Sequence, residues 1–292
     1  MQYRSVFRAN LFADQTIVIT GGGTGIGRCI AHELASLGAT VTILGRSTEK
    51  LQAVKAEIED LYAARVSTHS CDIRDEATVK ATIAAILEEH GRIDGLVNNA
   101  GGQYPQRVSD LSLKGFEAVI KTNLTGGFIV SQEVYNRWMA DHGGSIVNMI
   151  ADIWGGMPTM AHSGAARAGM LNLTESMACE WGRAGVRVNA VAPGWIASSG
   201  FDTYDETMQA FIRGLTGKVP LGRFGVEAEV SGAVAFLLSA AAGFISGSCI
   251  RVDGGVPNAR HTWGAPFADP DAPPRSVPFD GFPQAIVPKA LS

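Results

Sequence analysis

Thr20-Gly21-Gly22-Gly23-Thr24-Gly25-Ile26-Gly27 is the stretch on which the reading of this chain turns. It follows a β-branched run, Thr16 to Thr20, and opens a stretch with helical apolar spacing, Gly27 to Leu37. Glycines in such a turn allow a tight bend and a close backbone approach, and the free N–H groups of the helix N-terminus attract phosphate. A Gly-rich run alone is weak evidence, but between a first strand and a first helix it reads as a dinucleotide-binding turn. Gly21, Thr24, Gly25, Ile26 and Gly27 are the candidate pyrophosphate contacts.

Working outward, β-branched runs recur at Thr40 to Leu44, Arg65 to Thr68, Gly95 to Val97, Ser145 to Met149, Val186 to Val191 and Ser248 to Val252. Helical spacing fills the gaps at Glu49 to Leu61, Ala77 to Glu89, Gly115 to Met139, Ser163 to Gly182 and Glu227 to Leu238. Strands alternating with helices predict a parallel sheet, and right-handed crossovers wind it on both faces. The expectation is a single-domain α/β Rossmann fold with a seven-stranded parallel sheet of order 3-2-1-4-5-6-7, its ligand crevice at the strand C-terminal ends. The domain is expected over 1–257, with a substrate lid at about 197–218 and a Pro-rich, extended C-terminal arm over 258–292. Phe201, Tyr204, Met208 and Phe211 are expected to give the lid an apolar inner face.

The 292 residues, 46% of them apolar, supply one large core, and a net charge of −4 without charge blocks excludes nucleic acid or a membrane surface as partner. Cys29, Cys71, Cys179 and Cys249 are too scattered for a CxxC motif and are read as free thiols, in a soluble, cytoplasmic protein. No metal is expected. Met1 to Ala13 has no signal-peptide character, and Ala290-Leu291-Ser292 does not match the Ser-Lys-Leu peroxisomal address.

At the end of the second strand stands Arg46, where an acidic residue would hold the ribose hydroxyls of NAD. A guanidinium suits a 2′-phosphate, so NADP(H) is the expected cofactor. Together with Cys71-Asp72-Ile73, Asn98-Asn99-Ala100-Gly101, Thr122-Asn123-Leu124 and Pro193-Gly194, the Gly-rich turn makes residues 13 to 256 resemble the short-chain dehydrogenase/reductase family. The resemblance implies that Asp72 and Ile73 flank adenine, that Asn99, Ala100 and Gly101 line the adenosine ribose, and that Pro193, Gly194 and Ile196 border the nicotinamide. It also implies a homo-oligomer, typically a tetramer.

That family usually carries a Ser after the fifth strand and a Tyr-x-x-x-Lys pair. Here Ser163 takes the Tyr position, Arg167 the Lys position, and Ala151 or Asp152 the Ser region. A serine hydroxyl is a far poorer acid or base than a Lys-assisted phenol, which speaks against alcohol oxidation by the usual route. Arg167 can still bind ribose hydroxyls and favour an oxyanion, but it stays charged and cannot relay a proton. The segment His162 to Gly169, with Gly101-Gly102-Gln103 and Asp253-Gly254-Gly255, resembles the peroxisomal-type trans-2-enoyl-CoA and 2,4-dienoyl-CoA reductases. Those relatives dispense with the Tyr because hydride adds to the β-carbon of a conjugated thioester and the enzyme mainly stabilises an enolate.

Asn123, Ser163, Arg167 and His162 are therefore the catalytic candidates. Ser163 is read either as a helix N-cap or as a donor to a thioester carbonyl, and His162 either as a capping residue or as a proton donor. The expected activity is NADPH-dependent reduction of an α,β-unsaturated acyl-CoA. Two rivals stand: a dehydrogenase of a branched or terpenoid alcohol or aldehyde, and an NADP(H)-binding regulatory protein without turnover.

Overall fold

The structure is a computed structural model, and it describes residues 1–203, 205–258 and 275–291. Seven strands form one parallel sheet: β1 (Thr16–Thr20), β2 (Thr40–Gly45), β3 (Val66–Ser70), β4 (Gly95–Asn98), β5 (Gly144–Met149), β6 (Val186–Pro193) and, last in the chain, β9 (Cys249–Val252). The order is β3-β2-β1-β4-β5-β6-β9, the expected 3-2-1-4-5-6-7. A separate two-residue pair, β7 (Ile196–Ala197) with β8 (Gly225–Val226), was not expected; its strands are too short to show a period.

Alternation along β1 explains why the sheet is covered twice. Ile17 and Ile19 point into one apolar cluster, with Ile30 and Leu34 of α1 (Gly25–Ser36) and Val230 and Val234 of α9 (Glu227–Leu238), while Val18 points into the other. That second cluster takes Val79 and Ile83 from α3 (Glu76–His90), Val130 and Val134 from α5 (Gly126–Val134), and Met177 from α7 (Ala161–Trp181). The remaining helices are α2 (Thr48–Tyr62), α4 (Leu113–Ile120), α6 (Ala140–His142) and α8 (Glu206–Arg213).

The long helix expected over Gly115 to Met139 is broken by π-helical turns at Lys121–Thr125 and Tyr135–Met139. The first turns Asn123 inward and buries it, a local cost that the side chain recovers in hydrogen bonds described below. In the segment 197–218, Phe201 joins Ile212, Leu215 and Phe224 in an apolar cluster with Met208 packed against it, but Phe211 is 53% exposed under the Lys218 ammonium. Phe211 thus lies off the inner face expected of it, because α8 turns its 3.6-residue period so that Ile212 faces in. Tyr204 lies outside the described residues.

Of the C-terminal arm, 259–274 lies outside the described residues. Residues 275–291 lie back on the body: Phe282 is buried between Tyr3 and His32 and under the Arg28 guanidinium, and Leu291 packs against the lid cluster. All four cysteines are free, and no helix among the described residues is long and apolar enough to cross a membrane.

Candidate active site

The strand order reverses between β1 and β4, and the two strand ends are tied together there. Thr20 Oγ1 accepts the N–H groups of Asn99 and Ala100 at 3.0 Å each, and Asn99 Nδ2 donates to the carbonyls of Thr20 (3.0 Å) and Gly21 (3.2 Å). Space in the turn exists because side chains are missing. A Cβ on Gly27 would stand 2.3 Å from the Gly21 carbonyl oxygen and 2.4 Å from Asn99 Nδ2, and Gly21 and Gly25 adopt φ of +70° and +54°. Thr24 caps α1 without a side-chain hydrogen bond, so the first-turn N–H groups keep their capacity for an anion. This cradle fits a dinucleotide diphosphate.

Around it, Arg46 is exposed at the exit of β2. After β3, Asp72 pairs with Arg74 at 2.5 Å, and that hydrogen-bonded contact holds its carboxyl down to about 2, so it is ionised at every physiological pH. Ile73 is buried, its side chain packed where a Cβ on Gly126 would come within 2.7 Å. Past β6, the N–H of Gly194 donates to Val252 at 2.9 Å, with Pro193 before it and Ile196 buried in the β7–β8 pair.

At the chemical end, four consecutive residues after β4 each meet one candidate. A Cβ on Gly101 would lie 2.2 Å from Arg167 Nη2 and 3.0 Å from Asn123 Oδ1. Asn123 clasps Gly102 by both backbone groups, accepting its N–H and donating to its carbonyl at 2.9 Å each. Gln103 Oε1 accepts the Ser163 hydroxyl at 2.7 Å, and the Tyr104 ring lies edge-on to His162 with centroids 4.7 Å apart. Arg167, Asn123, Ser163 and His162 are thereby assembled on one loop. A buried chain supports α7 from beneath: Asn98 Nδ2 donates to Asn148 Oδ1 (2.8 Å), and Asn148 Nδ2 to Thr174 Oγ1 (2.9 Å).

Arg167 donates to the Met149 carbonyl at the end of β5. Its side chain is partly accessible but its guanidinium is enclosed, and burial alone lowers its pKa to about 10, with no carboxylate beside it to offset the charge. It remains a cation at neutral pH, aimed at the loop. Ser163 is not an N-cap: α7 starts two residues earlier, at Ala161, with Met160 in the cap position, and the hydroxyl is spent on Gln103. His162, the second residue of the helix, satisfies a first-turn donor instead: its Nδ1 accepts the Ser163 N–H at 2.8 Å. That bond places the neutral ring's proton on Nε2, a buried atom without a hydrogen-bond partner among the described residues.

Asp152 and Trp154 lie apart from this group. The Asp152 carboxyl is pushed up by burial and then by the charge of Asp253, and the Trp154 ring carries the Arg251 guanidinium at 5.2 Å. Two contributors escaped the sequence reading as site residues: Gln103, which fixes Ser163, and Glu227, the first residue of α9, buried beside Gly25. Neither has a sequence signal, since each acts through a contact more than 50 residues away along the chain.

The protein family described as Enoyl-(Acyl carrier protein) reductase matches residues 21–257. Peroxisomal 2,4-dienoyl-CoA reductase from Danio rerio is 36% identical over 258 residues, covering 87% of this chain and 85% of that protein. The probable 2,4-dienoyl-CoA reductase of Bacillus subtilis (strain 168) is 38% identical, covering 82% and 96%. Among solved structures, the citronellol catabolism dehydrogenase of Pseudomonas aeruginosa PAO1 superposes with a TM-score of 0.78 at 55% identity, covering 87% of this chain and all of that one.

Proposed function

Since the chain belongs to the short-chain dehydrogenase/reductase family and is an oxidoreductase, we propose that it reduces the conjugated double bond of an α,β-unsaturated acyl-CoA with NADPH. One observation carries this: a buried guanidinium, Arg167, without a carboxylate partner among the described residues, stands where the family's Lys would be, one helical turn after Ser163 in place of Tyr. The cradle residues Gly21, Thr24, Gly25, Ile26 and Gly27 hold the diphosphate and Arg46 the 2′-phosphate. When bound, the reduced nicotinamide supplies the hydride that adds to the β-carbon.

Arg167 stabilises the negative charge that then spreads onto the thioester oxygen, an effect magnified because the group is already desolvated and held by Met149. Asn123 and Gln103 keep the loop and the Ser163 hydroxyl in place. The α-carbon takes its proton from a water, which the neutral His162 ring orients through its Nε2–H. Segment 197–218 covers the acyl chain, anchored to the body by the packing of Phe201, Ile212 and Leu215 on Phe224. The relatives named as dienoyl-CoA reductases support this substrate class.

A second reading, a dehydrogenase of a branched terpenoid alcohol or aldehyde, draws on the 55% identity to the citronellol catabolism dehydrogenase. It needs a base that takes an alcohol proton. The test is consumption of NADPH and NADH with straight and branched trans-2-enoyl-CoA substrates, against oxidation of citronellol with NADP⁺. Turnover of a thioester with NADPH supports the first reading; alcohol oxidation with silent thioesters replaces it by the second, and tight NADPH binding without any turnover by a regulatory role.

A further inference from the structure

Helices α1 and α9 pack against each other, and Glu227, the first residue of α9, brings its carboxyl to Gly25, the first residue of α1, in the Gly-rich turn. Its Oε1 is 3.7 Å from where a Cβ on Gly25 would sit, and the Ser199 hydroxyl at the base of the lid is 3.9 Å from the same point. Glu227 is 4% exposed and makes no hydrogen bond or ion pair with the described residues. A carboxylate here faces the very turn that must accept a doubly negative diphosphate.

Among the described residues no cation is paired with it. On α1, the Arg28 guanidinium is committed to Glu57 at 2.8 Å, to the Gln284 carbonyl at 3.0 Å and to the Phe282 ring. Also on α1, burial holds the proton on the Cys29 thiol, and the Glu33 carboxyl, pushed up by burial, is bonded by Tyr3 and Ser5. On its own helix, Glu229 is paired with Arg223 at 2.7 Å. From the lid, the neutral Ser199 hydroxyl approaches the same turn. Burial accordingly pushes Glu227 up to about 7, against the smaller opposing pull of Arg28.

We propose that Glu227 is a cofactor-binding residue that serves as a neutral carboxylic acid, its O–H donated toward the diphosphate or Ser199, so that binding of the dinucleotide takes up one proton. This rests on the reading of the Gly-rich turn as a diphosphate site, and it is independent of which substrate is reduced. The proton balance is simple: free protein with ionised Glu227, plus one proton, plus nucleotide, gives the complex with Glu227 protonated. No other bond changes.

The experiment is calorimetric titration of the whole protein with NADPH and with NADH between pH 7 and 9, in pairs of buffers of different ionisation enthalpy. In this range the 2′-phosphate, with a second pKa of about 6, is already fully ionised. The expected result is uptake approaching one proton at pH 8 and a Kd that rises toward about tenfold per pH unit at the alkaline end. Glu227→Gln should abolish the uptake, flatten the pH dependence and bind more tightly than the parent at pH 8.5. A proton count near zero in the unaltered protein, or an unchanged pH dependence in Glu227→Gln, overturns the assignment. Binding of neither nucleotide at any pH overturns the diphosphate reading itself.

Discussion

Replacing Arg167 by Met separates function from stability in an unusual direction. Burial lowers the pKa of the enclosed guanidinium to about 10, well below its ordinary value. A folded-state pKa depressed below its unfolded value, for a cation, is a penalty present in full below about 10 and lifted as pH rises beyond it. At 1.36 kcal/mol per unit, the penalty at pH 7 is about 3 kcal/mol. Methionine removes it, fills much of the same volume, and forfeits the bond to the Met149 carbonyl, which leaves that acceptor short by about 1–3 kcal/mol. The two nearly cancel, so Arg167→Met should unfold in urea at the same free energy as the parent or up to about 2 kcal/mol higher. Loss of the charge that faces the developing enolate should lower kcat about 100- to 1,000-fold. Equilibrium denaturation at pH 7 and steady-state rates on one preparation decide it: a variant destabilised by more than about 3 kcal/mol with kcat intact refutes the reasoning and makes Arg167 structural.

Three further outcomes are expected. Arg46→Asp should weaken NADPH binding by about 1–3 kcal/mol and leave NADH unaffected, read by fluorescence titration; equal affinities before and after remove Arg46 from the site. Asn123→Ala strands both backbone groups of Gly102 and should cost about 2–4 kcal/mol on denaturation, with a raised KM as the loop loosens; a loss under about 0.5 kcal/mol contradicts the clasp. Phe282→Ala should cost about 3 kcal/mol, since its ring is 3% exposed among Tyr3, His32 and Arg28, and should leave the arm open to limited proteolysis.

The sheet was legible because its signals are local. Each strand is a short β-branched run bounded by helical spacing, and a covered parallel sheet admits few connections, so the alternation together with the Gly-rich turn led to the observed order. The turn from Gly21 to Gly27 was legible for the same reason: positive φ and missing side chains are properties of the residues themselves. The absence of Tyr at position 163 and the presence of Arg at 167 were likewise visible as letters.

What those letters do was decided by distance. Only the packed molecule turns Asn123 into a clasp for Gly102, because a π-turn is a response to tertiary contact and leaves no periodic trace. The Ser163 hydroxyl, for which capping was one of two readings, is bonded to a partner 60 residues away, and its N–H goes to His162 Nδ1. Phe211 and Ile212 are adjacent, both apolar, and end on opposite sides of the lid helix, a choice made by what the lid packs against. Glu227 is an ordinary surface-looking glutamate in sequence; it faces the Gly-rich turn only because two helices far apart in the chain pack against each other. Local geometry is a property of neighbours in sequence, whereas desolvation and partnership depend on neighbours in space, and it is the second kind that sets the chemistry of this site.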